Sequence, residues 1–501
     1  MAPKATRRSP RPTASPARGR SPAPAAKKSP AAASKSPARP SRKKAAAAAG
    51  TAVSLSTDGD TELKAWQASK LTASNGHAAS EASEFEFGGP IGAVGIMIAL
   101  PLTIFMLFFG CSSKDACVTS LAGAVELPER LMRGLAEEKL WSWEATLAVF
   151  AWTALHFLLY LVLPGTVAPG VTLRDGSRLS YHINGHLAFW LCAVALAVAQ
   201  GAGGVQLSWL YDHYLELMSG SMALSVCVSV YCYAASFRRG ELLAEGGQSG
   251  NVLYDFFIGR PLNPRVGKLD LKEACELRPG LVGWALLNAG MACKQHELTG
   301  AVSGPMVLVN LFQGLYVWDA LYQEQAILTT MDITTDGFGY MLAFGDLSWV
   351  PFTYSLQARL LVEHDPGLPP WALGLIAGLN FLGYAVFRGS NSEKDAFRRD
   401  PSAPEVAHLK FLPTKRGTRL LISGWWGMAR KINYTGDWLM GLAWCLCCGA
   451  TTPLAYFYAI YFFVLLVHRA MRDDHMCSVK YGDDWKAYKA KVPALFVPKL
   501  I

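Results

Sequence analysis

The segment 90–109 contains twenty residues without a charged side chain, and it constrains the fold of this chain more than any other feature. An α-helix of this length is about 30 Å long, which matches the hydrocarbon core of a bilayer. Similar apolar segments recur along the chain. The candidate spans are 90–109, 146–163, 186–203, 219–236, 279–296, 302–318, 340–361, 370–387, 437–450 and 452–468. We therefore predict an all-α polytopic membrane protein with about ten transmembrane helices.

Residues 1–84 differ in composition from this membrane part and are predicted to form a disordered basic tail rich in Ser, Pro and Ala. Residues 1–50 contain thirteen Lys and Arg and no acidic residue, whereas the whole chain has a formal charge of only +9. Such a segment buries too little apolar surface to fold. Polybasic tails bind nucleic acid or anionic lipid through counterion release, so residues 1–50 are candidates for weak binding of either. A solubilising and targeting arm is the alternative. The membrane domain is expected to span 85–501.

Clusters of Lys and Arg separate the candidate spans at regular intervals. They occur in the tail, at 238–272 and at 388–431, and four spans lie between successive clusters. By the positive-inside rule, all three clusters face the cytosol or nucleoplasm. The loop 110–145 then lies on the opposite side of the membrane, and its four basic and six acidic residues agree with that placement.

The eleven cysteines are scattered, and several lie within apolar runs. No pair has the spacing and context of a zinc ribbon or a redox motif. We therefore expect small buried thiols in a reducing compartment rather than a disulfide framework, and we expect no metal site.

The segment 388–438 contains residues that suit an anionic cofactor. Lys394 and Arg398 are four residues apart, so a helix would direct both at one phosphate group. Trp425 and Trp426 add aromatic surface. The alternatives are an ordinary positively charged loop and an interfacial aromatic anchor.

A second polar segment follows the apolar run 459–467. Asp473, Cys477 and Tyr481 are again four residues apart and share one face of a continuing helix. Cations for phosphates, aromatic rings for stacking and a carboxylate for ribose hydroxyls suit a dinucleotide. A solvated helix end with snorkelling side chains is the alternative. Because no G-x-G-x-x-G follows a strand and no Walker loop is present, a dinucleotide would bind outside a Rossmann fold.

Two long motifs resemble the membrane sterol reductases. The first is H-R-x-x-R-D-x-x-x-C-x-x-K-Y-G-x-D-W-x-x-Y at 468–488, and the second is G-N-x-x-Y-D-F-F-x-G-x-x-L-N-P-R at 250–265. That family contains the Δ14-, Δ7- and Δ24(28)-sterol reductases and the lamin B receptor. The segments 276–284 and 329–359 are most similar to the Δ14-reductase and lamin B receptor branch.

The resemblance implies NADPH-dependent reduction of the C14=C15 double bond of a sterol by a multi-pass protein. Its membrane would be the endoplasmic reticulum or the inner nuclear membrane, and membrane lipid surrounds it. The cofactor residues implied by the motifs are Lys394, Arg398, Leu421, Trp426, Asn433, Tyr434, Asp473, Cys477, Ser478, Val479, Lys480, Tyr481 and Tyr488. One departure from the pattern is Lys431, where many relatives have His.

The expected reaction protonates C15 and leaves a tertiary cation at C14 that accepts hydride, which requires a strong, desolvated acid. Asp332 and Asp346 lie in a polar block within the membrane part, where carboxylates are costly and usually functional. They and Tyr434 are the candidate catalytic residues. The alternative functions are a lamin B receptor-like tether that binds chromatin through its tail, and an isoprenylcysteine methyltransferase.

Overall fold

The computed structural model describes residues 85–111, 117–120 and 122–498, so the expectations for the tail 1–84 lie outside the described residues. The described chain is mostly helical. Its α-helices are α1 (Gly89–Phe109), α2 (Leu127–Glu137), α3 (Trp143–Val162), α4 (Gly185–Gly201), α5 (Trp209–Asp212), α6 (Tyr214–Ala235), α7 (Val252–Ile258), α8 (Leu271–Leu277), α9 (Pro279–Thr299), α10 (Gly304–Tyr322), α11 (Met331–Thr334), α12 (Tyr340–Phe344), α13 (Val350–Tyr354), α14 (Leu356–Glu363), α15 (Pro370–Arg399), α16 (Trp425–Met428), α17 (Ile432–Leu446), α18 (Phe457–Tyr481) and α19 (Asp483–Lys491).

Five helical segments in the described part are long and apolar enough to cross a membrane. They are Gly89–Phe109, Trp143–Val162, Tyr214–Ala235, Pro370–Arg399 and Pro453–Tyr481. The multi-pass architecture is therefore supported, but the predicted count of ten spans is not confirmed. The other predicted spans contain helices that are shorter, more polar or interrupted.

The predicted span 340–361 is interrupted in a way that matters for the site. Its helical turns are α12, a π-helical turn at Gly345–Trp349, α13 and α14. Pro351 has no N–H to donate, and it is the second residue after the π turn. The Thr353 hydroxyl donates to the Trp349 carbonyl over 2.7 Å and so satisfies one of the backbone groups near this break. Broken helices at membrane depth survive only where protein or water covers the freed backbone, and this break carries Asp346.

Three antiparallel hairpins are the exception to the predicted all-α fold. Strands β1 (Thr166–Thr172) and β2 (Arg178–Ile183) pair with a register shift after Pro169, and the turn between them includes Gly176 at φ +81°. The shorter hairpins are β3 (Arg265–Val266) with β4 (Leu269–Asp270), and β5 (Phe411–Pro413) with β6 (Arg419–Leu421). They lie between the long helices, where the apolar-span argument made no prediction.

Buried ion pairs account for part of the polar block. Arg278 is fully buried and pairs with Glu324, and it lies 3.6 Å from Glu273. Arg388 pairs with Asp319. Since a buried charge is tolerated only with a partner, these carboxylates are committed to holding helices together.

One cysteine pair departs from the expectation of free thiols. Cys111 and Cys117 form a disulfide at the end of α1, and His364 Nδ1 lies 3.9 Å from Cys111 Sγ. The other nine cysteines are thiols. The described residues therefore contain one disulfide that was not expected, but no disulfide framework.

Helices α15 and α17 pack with their backbones in contact. A Cβ on Gly383 would lie 2.7 Å from the Gly436 carbonyl oxygen, and one on Gly436 would lie 2.5 Å from the Phe387 nitrogen. Only glycine permits this approach without displacement of the helices. The contact holds the cationic end of α15 beside the first turn of α17, where the predicted cofactor residues meet.

Candidate active site

The end of α15 carries a lysine that faces an aromatic ring. Lys394 Nζ lies 3.9 Å from the ring centroid of Trp426, which is within cation–π range. The Trp426 indole N–H donates to the Ser390 carbonyl over 2.8 Å, and this bond fixes the ring against α15. Leu421 and Phe397 pack with the same ring. The structure thus brings together Lys394, Leu421 and Trp426, which the motifs predicted separately.

Lys431 and Asp473 form an ion pair beside that lysine. Lys431 Nζ lies 5.4 Å from the ring centroid of Tyr434, and the Cys477 thiol donates to Asp473 Oδ2 over 3.9 Å. Lys394 interacts electrostatically with Arg398, Lys431, Asp473 and Cys477. We call Lys394, Arg398 and Lys431 the cation cluster. Three cations near one carboxylate leave an excess of positive charge, which suits phosphate groups.

Two further predicted residues border the cation cluster. Asn433 Nδ2 donates to Asn391 Oδ1 over 3.3 Å, while Asn433 Oδ1 is buried and has no hydrogen-bond donor among the described residues. A buried acceptor without a partner is available to a ligand. Tyr488 packs with Cys477, and burial raises the pKa of Tyr488 to about 12. Its phenol therefore remains a neutral hydrogen-bond donor at physiological pH.

Not every residue of the C-terminal motif faces this cluster. Ser478, Val479 and Lys480 are all exposed, and Val479 is 68% exposed. Successive helical residues are about 100° apart, so Ser478 and Val479 point away from the face that carries Cys477, whereas Lys480 lies three residues on and interacts electrostatically with Cys477. Tyr481 stacks on Trp485 with ring centroids 6.2 Å apart. The geometry supports Cys477 and Tyr488 as site residues more directly than it supports the residues between them.

The predicted catalytic carboxylates lie on separate elements beside α18. Arg469 donates to Asp332 Oδ2 over 2.7 Å, and one turn later Arg472 donates to both oxygens of Asp336 over 2.9 Å. These two ion pairs fasten the segment 331–336 to α18. Arg469 also interacts electrostatically with Tyr434. Asp332 and Tyr434 are therefore neighbours of the same guanidinium group.

Asp346 belongs to a group of charges that also includes a residue absent from the sequence-based site. It interacts electrostatically with Asp332 and Lys272, and Glu276 interacts with Asp346, Asp332, Lys272 and Arg469. We call Glu276, Asp332 and Asp346 the acid cluster. Glu276 occurs in the E-L-R-P-G segment, and the signal that could have identified it is a glutamate directly before an apolar helix.

Tyr316 and Asp437 were also missed. The two side chains interact electrostatically, and Asp437 is only 9% exposed. Asp437 Oδ1 has no hydrogen-bond partner among the described residues. A carboxylate at the start of an apolar segment is the sequence signal for this pair.

The residues present fit a phosphorylated dinucleotide. The cation cluster supplies charge, Trp426 and Tyr434 supply rings, and Asn433 supplies an unpaired buried acceptor. The family model described as the ergosterol biosynthesis ERG4/ERG24 family matches residues 81–501. The match covers both polar clusters.

Several curated proteins are similar over the same region. Delta(14)-sterol reductase erg24 of Schizosaccharomyces pombe is 45% identical over 426 residues, which cover 84% of this chain and 99% of that protein. Delta(14)-sterol reductase TM7SF2 of Mus musculus is 47% identical over 422 residues, which cover 83% and 98%. Delta(14)-sterol reductase LBR of Gallus gallus is 45% identical over 417 residues, which cover 83% of this chain and 64% of that protein.

These matches extend over the whole membrane domain. They therefore include both motifs, at 250–265 and 468–488, on which the resemblance to the sterol reductases was based. The methyltransferase alternative has no counterpart among these relatives. The chain belongs to the ERG4/ERG24 family of sterol reductases.

Proposed function

We propose that this chain is a Δ14-sterol reductase that uses NADPH to reduce the C14=C15 double bond in sterol biosynthesis, in the endoplasmic reticulum or inner nuclear membrane. Relatives at 45–47% identity over most of their length carry that activity in their names. The observation that carries the proposal is the position of the cation cluster, which lies around Trp426, close to the acid cluster. Arg469 lies between them, because it interacts with Tyr434 on one side and with Asp332 on the other. Reduction of an olefin requires a hydride and a proton at neighbouring carbons. A site for an anionic hydride donor next to a group of carboxylic acids meets this requirement.

The cofactor would be held by the residues already brought together. Lys394 and Arg398 are placed to bind its phosphates, Trp426 and Tyr434 to contact its rings, and Asn433 and Asp473 to accept hydrogen bonds from its hydroxyl and amide groups. Bound NADPH supplies the hydride. Ser478, Val479, Lys480 and Tyr481 remain predicted contacts whose side chains lie outside this cluster.

The chain's own residues must supply the proton. Asp332 is paired with Arg469, so its carboxylate is already engaged in an ion pair. Tyr434 lies near Lys431 and interacts electrostatically with Arg469, and within the described part of the chain its phenol makes no ion pair of this kind. Asp346 is not paired directly with any cation among the described residues. Tyr434 and Asp346 are therefore the better donors of the three predicted catalytic residues.

The activity is tested by expression in a yeast strain that lacks its own Δ14-reductase. We expect the Δ8,14-dienols that accumulate in the strain to disappear from the sterol profile, and 7-dehydrosterols to be unaffected. Arg399→Ala is a matched control, because Arg399 is 77% exposed and its one ion pair within the described part of the chain is with Asp395. Persistence of the dienols with a correctly inserted protein, or rescue of a Δ7 defect alone, would contradict the proposal.

In microsomes, turnover should depend on NADPH and be slower with NADH at equal concentration. The physical reason is the 2′-phosphate, which only NADPH offers to the cation cluster. Equal rates with both nucleotides would reject the cofactor assignment and leave the sterol activity standing.

A further inference from the structure

The residue Glu276 has an unusual position for a charged side chain. Its Oε2 atom is buried and has no hydrogen-bond partner among the described residues. It lies on α8, and the helix that follows packs directly on the turn that carries Asp346. A Cβ on Gly280 would lie 1.9 Å from the Asp346 carbonyl oxygen, so these two elements are in backbone contact.

The cations near Glu276 are committed to other groups. Arg469 is bonded to Asp332, and Lys272 Nζ donates to the carbonyls of Ile333 and Asp336 over 3.1 and 2.8 Å. Lys272 is fully buried. Its ammonium group is the cation that Glu276 and Asp346 have in common, and it makes no side-chain hydrogen bond to either in the described structure.

A charge balance of the surroundings leaves one carboxylate without compensation. The carboxylates that face Lys272 and the acid cluster are Asp270, Glu276, Asp332, Asp336 and Asp346. Four cations face these carboxylates. Arg265 pairs with Asp270, and Arg469 pairs with Asp332. Arg472 pairs with Asp336 and also with the more exposed Glu86, and the fourth cation is Lys272. Glu273 and Glu324, on neighbouring elements, share Arg278. Glu276 and Asp346 thus have one positive charge between them.

Glu276 and Asp346 are only partly exposed, and two such carboxylates that share one cation do not both ionise readily, because the second negative charge is repelled and is poorly solvated. Burial accordingly raises the pKa of Glu276 well above its usual range, and the Asp332 and Asp346 carboxylates act in the same direction. One proton therefore remains on the pair at neutral pH.

An apolar cavity of about 200 Å³ adjoins the same two elements. Pro279 and Gly283, from the helix after Glu276, and Leu347 and Pro351, which follow Asp346, contribute to its lining. An apolar ligand that enters from the bilayer would meet this wall next to the acids.

We propose that Glu276 and Asp346 share a single proton and that this pair supplies the proton added to the sterol, with Glu276 as a positioning residue that keeps Asp346 protonated. The inference rests on the proposed function and adds the identity of the acid. In the step, the O–H bond of the acid breaks and the π electrons of C14=C15 form the C15–H bond. The C14 cation left by this step would accept hydride, which NADPH would supply when bound, and a proton from solvent would restore the carboxyl pair.

The test compares Glu276→Gln, Glu276→Asp and Asp346→Asn with Glu216→Gln in the purified full-length protein. Glu216 is also buried, but it lies 3.6 Å from Lys139 and belongs to neither cluster. General acid catalysis contributes about 10²- to 10⁴-fold, so we expect Asp346→Asn to lower kcat for a Δ8,14-dienol by at least about 100-fold. The Kd for NADPH, measured by titration, should stay within about twofold of wild type.

The pH profile separates a proton-holding role from a structural one. In Glu276→Gln, Asp346 no longer has a like charge beside it and loses its proton at lower pH, so the alkaline limb of kcat should move to lower pH. Glu276→Asp should restore the wild-type limb. An unchanged limb in Glu276→Gln overturns the inference, as does wild-type kcat in Asp346→Asn.

Loss of NADPH binding in Glu276→Gln would indicate that this variant is misfolded. In that case the inference is tested by the kcat of Asp346→Asn and by the alkaline limb of the kcat profile of Glu276→Asp. A limb in Glu276→Asp that differs from wild type by more than about one pH unit overturns the inference. A wild-type protein that does not reduce the dienol at all contradicts the proposed function instead, so the two failures are distinguishable.

Discussion

The cation cluster and the acid cluster are both collections of unbalanced charge, but they differ in sign and in access to water. The cation cluster lies at the end of α15, where Arg398 is exposed, and its excess charge is positive. The acid cluster lies beside buried Lys272, and its excess charge is negative. A surplus of cations near water attracts an anion, whereas a surplus of carboxylates around a buried lysine retains a proton. Arg469 interacts with Asp332 and Glu276 of the acid cluster and with Tyr434, which lies beside Lys431 of the cation cluster, and the predictions below test whether the clusters function separately.

The largest effect is expected from Arg469→Met, which breaks the connection between the clusters. Asp332 loses a charge-assisted hydrogen bond worth roughly 1.5–3 kcal/mol, and Tyr434 loses a neighbouring cation. We expect kcat/KM for the sterol to fall by at least about 100-fold, measured in microsomes. Because the Arg469 side chain is 40% exposed, the free energy of unfolding should fall by only about 1 kcal/mol.

The control for that variant is Arg399→Ala, which removes an exposed arginine of the same charge. If Arg469→Met retained activity within about threefold of wild type, the two clusters would not depend on their common arginine.

The next largest effect concerns the cation cluster alone. Lys394→Ala should raise the Kd for NADPH by about tenfold to a hundredfold, since a charge-assisted hydrogen bond contributes roughly 1.5–3 kcal/mol. Arg398→Ala should act in the same direction but less strongly, because Arg398 is exposed. The effect on NADH, which lacks the 2′-phosphate, should be smaller if either residue binds that phosphate.

Nucleotide titration of the folded variants measures this, and the KM for the sterol should hardly change. Unchanged NADPH affinity in both variants would show that this segment does not bind the phosphates of NADPH. Its excess positive charge would then serve only to orient the protein in the membrane.

A smaller and less selective effect is expected for Asp473→Ala. A carboxylate accepts hydrogen bonds from hydroxyl groups that NADPH and NADH have in common, so both affinities should fall alike, by about tenfold. The same variant releases Lys431, which could then bind phosphate and offset part of the loss. A selective loss of NADPH binding in titrations would show that Asp473 acts by positioning Lys431.

The smallest effect is expected for deletion of residues 1–50. All of the side chains in the two clusters lie beyond this segment, so microsomal reductase activity should remain within about twofold of wild type. Localisation, or binding to DNA or to vesicles with anionic lipid, should change instead. Loss of turnover in a correctly inserted truncation would show that the tail contributes to catalysis.

Two members of the cation cluster and the helix face beside it could be predicted because their residues come in short, regular spacings. Lys394 and Arg398 are one helical turn apart, and Asp473 and Cys477 repeat that spacing on another helix. The partner of Asp473 was not predictable in this way. Lys431 is 42 residues away from it in sequence, and the two meet only because α17 packs against α18, where a Cβ on Gly441 would lie 2.8 Å from the Tyr458 ring.

The acid cluster was predicted only in part, for a different physical reason. Asp332 and Asp346 are conspicuous because carboxylates are rare in apolar surroundings. Glu276 lies on a short helix between apolar spans, where a glutamate usually faces water, and only the tertiary structure shows that it is buried. The interruption of 340–361 was missed because average hydropathy does not register a π turn or a proline.

The two ion pairs that fasten residues 331–336 to α18 have a kinetic consequence. Asp332 and Asp336 engage Arg469 and Arg472 on consecutive turns, so the acid-bearing segment and the helix that carries Asp473 would be displaced only together. A nucleotide arriving from the cytosol and a sterol arriving from the bilayer would then approach opposite sides of this rigid unit, which consists of segment 331–336 and α18. Neither needs the other to open its path, and initial-rate measurements should show random-order binding of the two substrates.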